Sequence, residues 1–174
     1  MDFITQLPLS NKFDSTLVVV DRFSKMARFL PAYGTITALD LAQIFISHVF
    51  SNHGLPVSIV SDRGSLLVSS LWTQLCQQLK ISRDLSTAFH PETDGQTERV
   101  NQILEQYLRM YVSHHQDGCY TWLPLAEFAY NNAEDSSTKQ SPFFTIYGRN
   151  TRFYSIHVSQ DSPAGKVSTK LQSV

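Results

Sequence analysis

The sequence predicts an α/β fold in which a mixed five-stranded sheet is flanked by helices. Three observations carry this expectation. A continuous β-branched run, STLVVVDRF (15–23), has a strand-like segment on each side. A second short apolar run, VSIVSD (57–62), lies between two segments of helical periodicity. A strongly amphipathic pattern then begins near Gln96. The resulting order is three strands, helix, strand, helix, short strand, then helices. That order is an antiparallel meander feeding a parallel pair.

Each element has a local reason. DFITQLP (2–8) is short and half-apolar, and ARFLPAY (27–33) is the third strand candidate, with SNKFD and SKM as turns. The run at 15–23 fits a central strand covered on both faces. Thr37 is positioned to cap a helix whose positions Leu41, Ile44, Phe45, His48 and Val49 recur at helical spacing, which puts His48 on the apolar face. Gly54 and Pro56 stop that helix. A second amphipathic helix is predicted over 68–79 and an edge strand over 81–86, while TAFHPETDG (87–95) has loop signals throughout. In the next helix Val100, Ile103, Leu104, Tyr107, Leu108, Tyr111 and Val112 form one stripe, with Glu98, Asn101, Gln102, Glu105 and Arg109 opposite. GCYTW (118–122) reads as a break, WLPLAEFAYNNA (122–133) as a helix, and SPFFTIYGR (141–149) as an apolar segment closed by Gly148. From His157 onward the chain is polar. The expected organisation is a core over 1–150 and a linker-like extension over 151–174.

Bulk properties narrow the function classes. A length of 174 residues suffices for one domain with a buried core. No stretch reaches the ~18 consecutive apolar residues of a membrane span. The N-terminus has no basic region followed by an apolar core, so no secretory signal is expected. Cys76 and Cys119 stand far apart without a CxxC, which fits buried thiols better than a disulfide or zinc site. Fourteen basic against fifteen acidic residues give a net charge of −1. That is not the footprint of a strong autonomous DNA binder. A metal-dependent nuclease core can work at this charge because bound cations offset its acids.

The candidate chemistry lies in three acids. Asp62 ends the apolar run in IVSDRGS (59–65), Glu98 opens the amphipathic helix in FHPETDGQTERVN (89–101), and Asp2 falls in the first strand candidate. Carboxylates at strand ends and helix starts have fixed backbones and side chains free to meet a hard divalent cation. Each has a plainer explanation as well: an acid at a strand end is usually solvated, and the helix dipole alone favours an acid at the position of Glu98. Asp21, after VVV, invites the same argument and is assigned a structural role.

SDRGS around Asp62, HPETDGQTE ending at Glu98, MDFITQLP at the start and VVVDRFSKMARFLP between them resemble the integrase catalytic core of gypsy-type LTR retrotransposons, a family related to retroviral integrases. The resemblance runs from about residue 2 to residue 150. It implies an RNase H-like fold and a polynucleotidyl transferase that processes the 3′ ends of element DNA and joins them to target DNA. It puts Asp2, Asp62 and Glu98 at the catalytic and metal-ligand positions, with Mg²⁺ or Mn²⁺ as cofactor. Residues 89–97 match the mobile loop beside the active site, with Gly95 as its hinge. His90, Gly95, Arg99 and Asn101 are the expected nucleic-acid contacts, with Arg63 a further phosphate partner. DNA is the expected partner, a homodimer or higher oligomer the expected assembly and the nucleus the expected location. The sequence departs from the family pattern in two ways: Glu92 stands where glutamine is usual, and Gln102 and Glu105 occupy a helix face that carries lysines in retroviral relatives. The zinc module and the C-terminal domain of full integrases are absent from this sequence, and only Met1 precedes Asp2, which predicts a loosely anchored first acid. The alternative is a catalytically silent remnant of an element that at most binds nucleic acid or dimerises.

Overall fold

The computed structural model describes residues 1–85, 95–111 and 118–152, with the side chain of Tyr111 left out. Strands β1 (Asp2–Ile4), β2 (Ser15–Val20) and β3 (Ala27–Ala32) form an antiparallel meander. Asp2 pairs with Val18 across β1 and β2, and Ser15 with Ala32 across β2 and β3. Strands β4 (Ser58–Ser61) and β5 (Ser82–Leu85) form a parallel pair with Ser58 opposite Ser82. A hydrogen bond from Met1 N to Val60 O (2.6 Å) joins the two pieces and sets β4 beside β1. The strand types and connections are those that the sequence predicts.

The sheet separates two apolar layers, and β2 shows why. Leu17 and Val18 are both fully buried, and strand alternation sends them to opposite faces. Leu17 clusters with Leu30, Leu41, Phe45 and Trp72, whereas Val18 clusters with Phe29, Val100, Leu104 and Leu123. A strand apolar from Leu17 to Val20 is therefore covered by helices on both sides.

On the first face lies α1 (Ala38–Ile44), which opens with the predicted cap. The Thr37 side chain accepts from Asp40 N, and the Asp40 carboxylate accepts from Thr37 N (3.0 Å). The helix continues as a π-helical segment, Phe45–Phe50, and a short α2 (Ser51–His53), ending at Gly54 with φ +78°. The π segment corrects one expectation. His48 is exposed rather than packed, because i→i+5 bonding widens the turn and leaves Phe45 and Val49 as the buried positions. Helix α3 (Ser70–Gln78) begins at the Ser69 cap and buries Trp72 and Cys76.

The second face carries α4 (Gly95–Tyr111) and α5 (Cys119–Asn132). In α4, Thr97, Val100, Leu104 and Leu108 are buried, while Ile103 and Tyr107 are half-buried at the margin of the stripe. Helix α5 starts directly after Gly118, so the expected break at 118–122 is shorter than the sequence implies. Its Glu127 and Asn131, one turn apart, cover the open edge of β3. Glu127 Oε2 accepts from Phe29 N (2.7 Å), and Asn131 accepts from Ala27 N (2.9 Å) and donates to Ala27 O (2.8 Å). An uncovered edge would present those groups as a template for another chain. Helix α6 (Pro142–Tyr147) is capped by Ser141 and closed, as predicted, by Gly148 in the left-handed conformation.

Both cysteines are buried and free, and burial pushes both thiols above their ordinary range. No described helix is long and apolar enough to cross a membrane.

Candidate active site

Asp2 is held in a paired strand. β1 alternates so that Met1 and Phe3 pack towards α1 and α3, while Asp2 and Ile4 face α4. The Asp2 carboxylate receives two N–H donors: Phe3 N to Oδ1 at 2.7 Å and Asn101 Nδ2 to Oδ2 at 2.8 Å. The second bond spans 99 positions of sequence and ties β1 to α4. Asp2 is thus better anchored than its neighbourhood in sequence predicts, through the β2 ladder and the Asn101 amide.

Asp62 follows the last residue of β4 and is half-buried. Its Oδ1 accepts from Gly64 N at 3.0 Å, a turn closed by the side chain itself. Gly64 is the one glycine here whose missing side chain matters. A Cβ on it would stand 3.0 Å from Asp62 Oδ1, so any other residue would press on the carboxylate. The signal for this was present in the sequence as the glycine two places after the acid in SDRGS, but its purpose needed the turn geometry.

Glu98 lies in the first turn of α4 and is exposed. The buried phase of α4, set by Thr97, Val100 and Leu104, turns Glu98 and Arg99 outward and leaves Asn101 half-buried against β1. Arg99 donates to Ser136 Oγ at 3.1 Å, linking α4 to the segment between α5 and α6. Near this contact, burial and the Asp135 carboxylate push the Tyr130 hydroxyl up to about 12, with Arg99 acting against them. Gly95 is the first residue of α4. It has neither a positive φ nor any atom within 4 Å of its absent Cβ, so neither constraint requires a glycine there. Residues 89–94 of the expected mobile loop, His90 and Glu92 among them, lie outside the described residues.

The structure therefore joins Asp2 to Asn101 directly, while Met1, the residue before Asp2, donates to Val60, two residues before Asp62. Glu98 stands one helical turn before Asn101 on α4. Among the described residues, no three His, Cys, Asp or Glu side chains are gathered closely enough to hold one metal ion. Asp21, the other acid after an apolar run, has the structural role assigned to it. Its carboxylate accepts from Ser24 N (3.0 Å) and Ser24 Oγ (2.5 Å) and organises the turn between β2 and β3. Burial raises its pKa, but the Ser24 bonds outweigh that and hold it below the ordinary value.

The arrangement supplies hard oxygen donors oriented by N–H groups. Each carboxylate oxygen has further lone-pair capacity beyond one accepted hydrogen bond, so oriented acids remain competent ligands.

Several known proteins are similar to the chain. The Tf2-3 and Tf2-4 transposon polyproteins of Schizosaccharomyces pombe strain 972 are each 38% identical to it over 147 residues, 84% of the chain. The chain spans 11% of the length of those polyproteins. One chain of the simian T-cell lymphotropic virus intasome, solved in complex with PP2A regulatory subunit B56 gamma, matches with a TM-score of 0.70 and 18% identity, over 99% of this chain and 59% of that one. The HTLV-2 integrase catalytic core in complex with magnesium (trimeric form) matches with a TM-score of 0.63 and 18% identity, over 82% of this chain and 91% of that one. The BIV integrase catalytic core gives 0.59 and 20%, over 84% and 92%. No family profile matches the chain.

Proposed function

We propose that the chain is an integrase catalytic core of the retroviral and retrotransposon type, in which Asp2, Asp62 and Glu98 hold divalent cations and which cuts and joins DNA. The observation that carries this reading is the Asn101–Asp2 hydrogen bond. It fixes the first acid and, one turn after Glu98, ties α4 to β1, the strand that bears Asp2. The HTLV-2 core was solved with magnesium, which supports a hard divalent cation at the same kind of site.

The residues fit such a cation by their chemistry. All three candidates are carboxylates, and the two on the strands are oriented by amide donors. Bound cations would stabilise the attacking and leaving oxygens of a phosphodiester exchange. The chain contributes rigidity: the β1–β2 ladder holds the Asp2 backbone, the Asn101 amide orients its carboxylate, and the Gly64 amide fixes Asp62. Glu98, exposed at the start of α4, is the acid most open to a substrate phosphate. The substrate in this reading is DNA, first at the ends of the element and then at the target, which sets the site of action in the nucleus. Arg63 and Arg99, both exposed, are the proposed phosphate contacts nearest the acids in sequence, and Gly95, at the start of α4, and His90, outside the described residues, are further proposed DNA contacts. Asn101, expected to meet nucleic acid, acts in this reading also through Asp2, whose carboxylate its amide orients. A dimer is proposed in keeping with the HTLV-2 core, which was solved in dimeric and trimeric forms.

The test is strand-transfer or disintegration activity on branched DNA with Mg²⁺ or Mn²⁺. Activity is expected in the parent chain and is expected to disappear in Asp62→Asn and Glu98→Gln. Activity that survives either substitution would sink the assignment of the acids. Inactivity of the parent chain under all these conditions would favour the silent-remnant alternative.

A further inference from the structure

Arg83 of β5 is half-buried and lies opposite Ile59 of β4, on the sheet face that carries α1 and α3. Its guanidinium makes two hydrogen bonds. Nη1 donates to Thr73 Oγ1 (2.5 Å) in α3, and Nη2 donates to Leu67 O (2.5 Å) in the segment before that helix. The Ser69 cap of α3 lies between these two points, so the planar fork spans the joint at which the β4–α3 connection becomes a helix. Thr73 Oγ1 in turn donates to Ser69 O (2.7 Å), and Ser69 Oγ donates to Leu66 O (2.7 Å).

A helix start is the unfavourable end of the dipole for a cation, so stabilising α3 does not explain Arg83. The Leu67 carbonyl does. Leu67 is 1% exposed, and the N–H groups of Leu67 and Val68 both donate to Gly64 O (2.9 and 3.1 Å). Gly64 N donates in turn to Asp62 Oδ1 (3.0 Å). Local bonds thus close the connection from Asp62 to Ser69, and Arg83 ties it to a strand 16 residues further on in sequence. The path of contacts runs from Arg83 through Leu67 and Gly64 to the Asp62 carboxylate.

We propose that Arg83 is a positioning residue for Asp62. Its fork fixes the Leu67 end of the turn, and the Gly64 amide carries that restraint to the carboxylate. In this role Arg83 touches neither metal nor substrate; it sets how rigidly a metal ligand is presented. β5 is also the strand that precedes residues 89–97 in sequence, so one side chain ties that strand to the turn that holds Asp62. Lysine does not replace the fork, because an ammonium is a point charge without the guanidinium's planar array of donors. The inference rests on the reading of Asp62 as a metal ligand.

The experiment compares the parent chain with Arg83→Met, which keeps the apolar stem and removes both donors, and Arg83→Lys, which keeps the charge and loses the fork. Without metal, amide exchange at Leu67 and Val68 is expected to be about tenfold faster in Arg83→Met, with Val18 of β2 unchanged as the measure of global stability. Mn²⁺ titrated into each protein, with the free ion read by its EPR signal, is expected to bind about tenfold more weakly to Arg83→Met, the lower end of the usual effect of groups that orient metal ligands. Arg83→Lys should give intermediate values for both, and it carries the test alone if Arg83→Met does not fold. Unchanged exchange at Leu67 and Val68 would overturn the proposal. Faster exchange with unchanged Mn²⁺ affinity would also overturn it, leaving Arg83 a purely structural residue. Asp62→Asn tests the underlying reading, since its amide oxygen can still accept from Gly64 N. Mn²⁺ that does not bind the parent, or that binds as well after Asp62→Asn, would overturn Asp62 as a ligand, and the proposal with it, whatever the exchange at Leu67 shows.

Discussion

Asn101 is the residue on which the site turns. Its amide donates to Asp2, its own Oδ1 is buried without a hydrogen-bond partner among the described residues, and its helix carries Glu98 one turn earlier. Groups that orient metal-binding side chains typically contribute about 10- to 100-fold in metal affinity or activity. Asn101→Ala is therefore expected to lower strand-transfer activity at limiting Mg²⁺ by about that factor. Raising Mg²⁺ should recover part of the loss, and thermal unfolding should change little. A full loss of structure, seen by circular dichroism, would instead make Asn101 a fold determinant. The sequence showed where Asn101 lies, three residues after Glu98, and turned its side chain towards DNA or the metal site without naming Asp2 as its partner. Periodicity gives the phase of a helix, not which strand lies beneath it. Asp62 was legible in full, because a short apolar run ending in an acid and followed by Arg-Gly specifies a strand end and a tight turn. Gly64 was visible as part of that motif, but its reason, room for the Asp62 carboxylate, depended on a distance.

The edge of β3 is where one element depends on another. Asn131 is 1% exposed and satisfies both backbone groups of Ala27. Replacing it with alanine leaves a buried N–H and a buried C=O unpaired, at about 1–3 kcal/mol for each such group. Asn131→Ala is accordingly expected to reduce the unfolding free energy by about 3 kcal/mol, read from urea denaturation. Glu127 performs the same service for Phe29 and lies 3.3 Å from Arg28. Burial raises its pKa, and the Phe29 amide and Arg28 oppose that without cancelling it. The sign follows from proton counting. A carboxyl raised in the folded state holds its proton where the unfolded chain has lost it, so stability falls as pH rises from the ordinary value of 4.5 through the raised one. Glu127→Gln, whose amide oxygen can still accept from Phe29, is expected to remove that slope, as seen in Tm measured against pH. None of this cover was readable in EFAYNN, where the pattern gives a helix but not its neighbour. The π segment was hidden for a related reason: Leu41, Phe45 and Val49 fit an ordinary helix, and only hydrogen bonding to i+5 turns His48 outward.

Across the whole molecule, charge limits what the chain does alone. Fourteen basic and fifteen acidic residues leave a net charge of −1, so there is little overall attraction for a polyanion. Without divalent cations, the chain is expected to bind duplex DNA no more tightly than the non-specific range of about 10⁻⁴–10⁻⁶ M at physiological salt. Mg²⁺ should strengthen that binding in the parent chain and not in Asp62→Asn, as measured by fluorescence anisotropy. Cation-independent binding in the nanomolar range would show a basic surface that the sequence does not contain. What the sequence determined by itself was the order and type of the strands and helices, the strand end at Asp62 and the helix start before Glu98, because hydrophobic period, caps and turn residues act over a few positions. What only the tertiary structure decided was which of these meet: Asn101 on Asp2, and Glu127 and Asn131 on the edge of β3. Those contacts join residues far apart in sequence, and their partners are fixed by how the helical layers settle on the sheet rather than by any local preference of the chain.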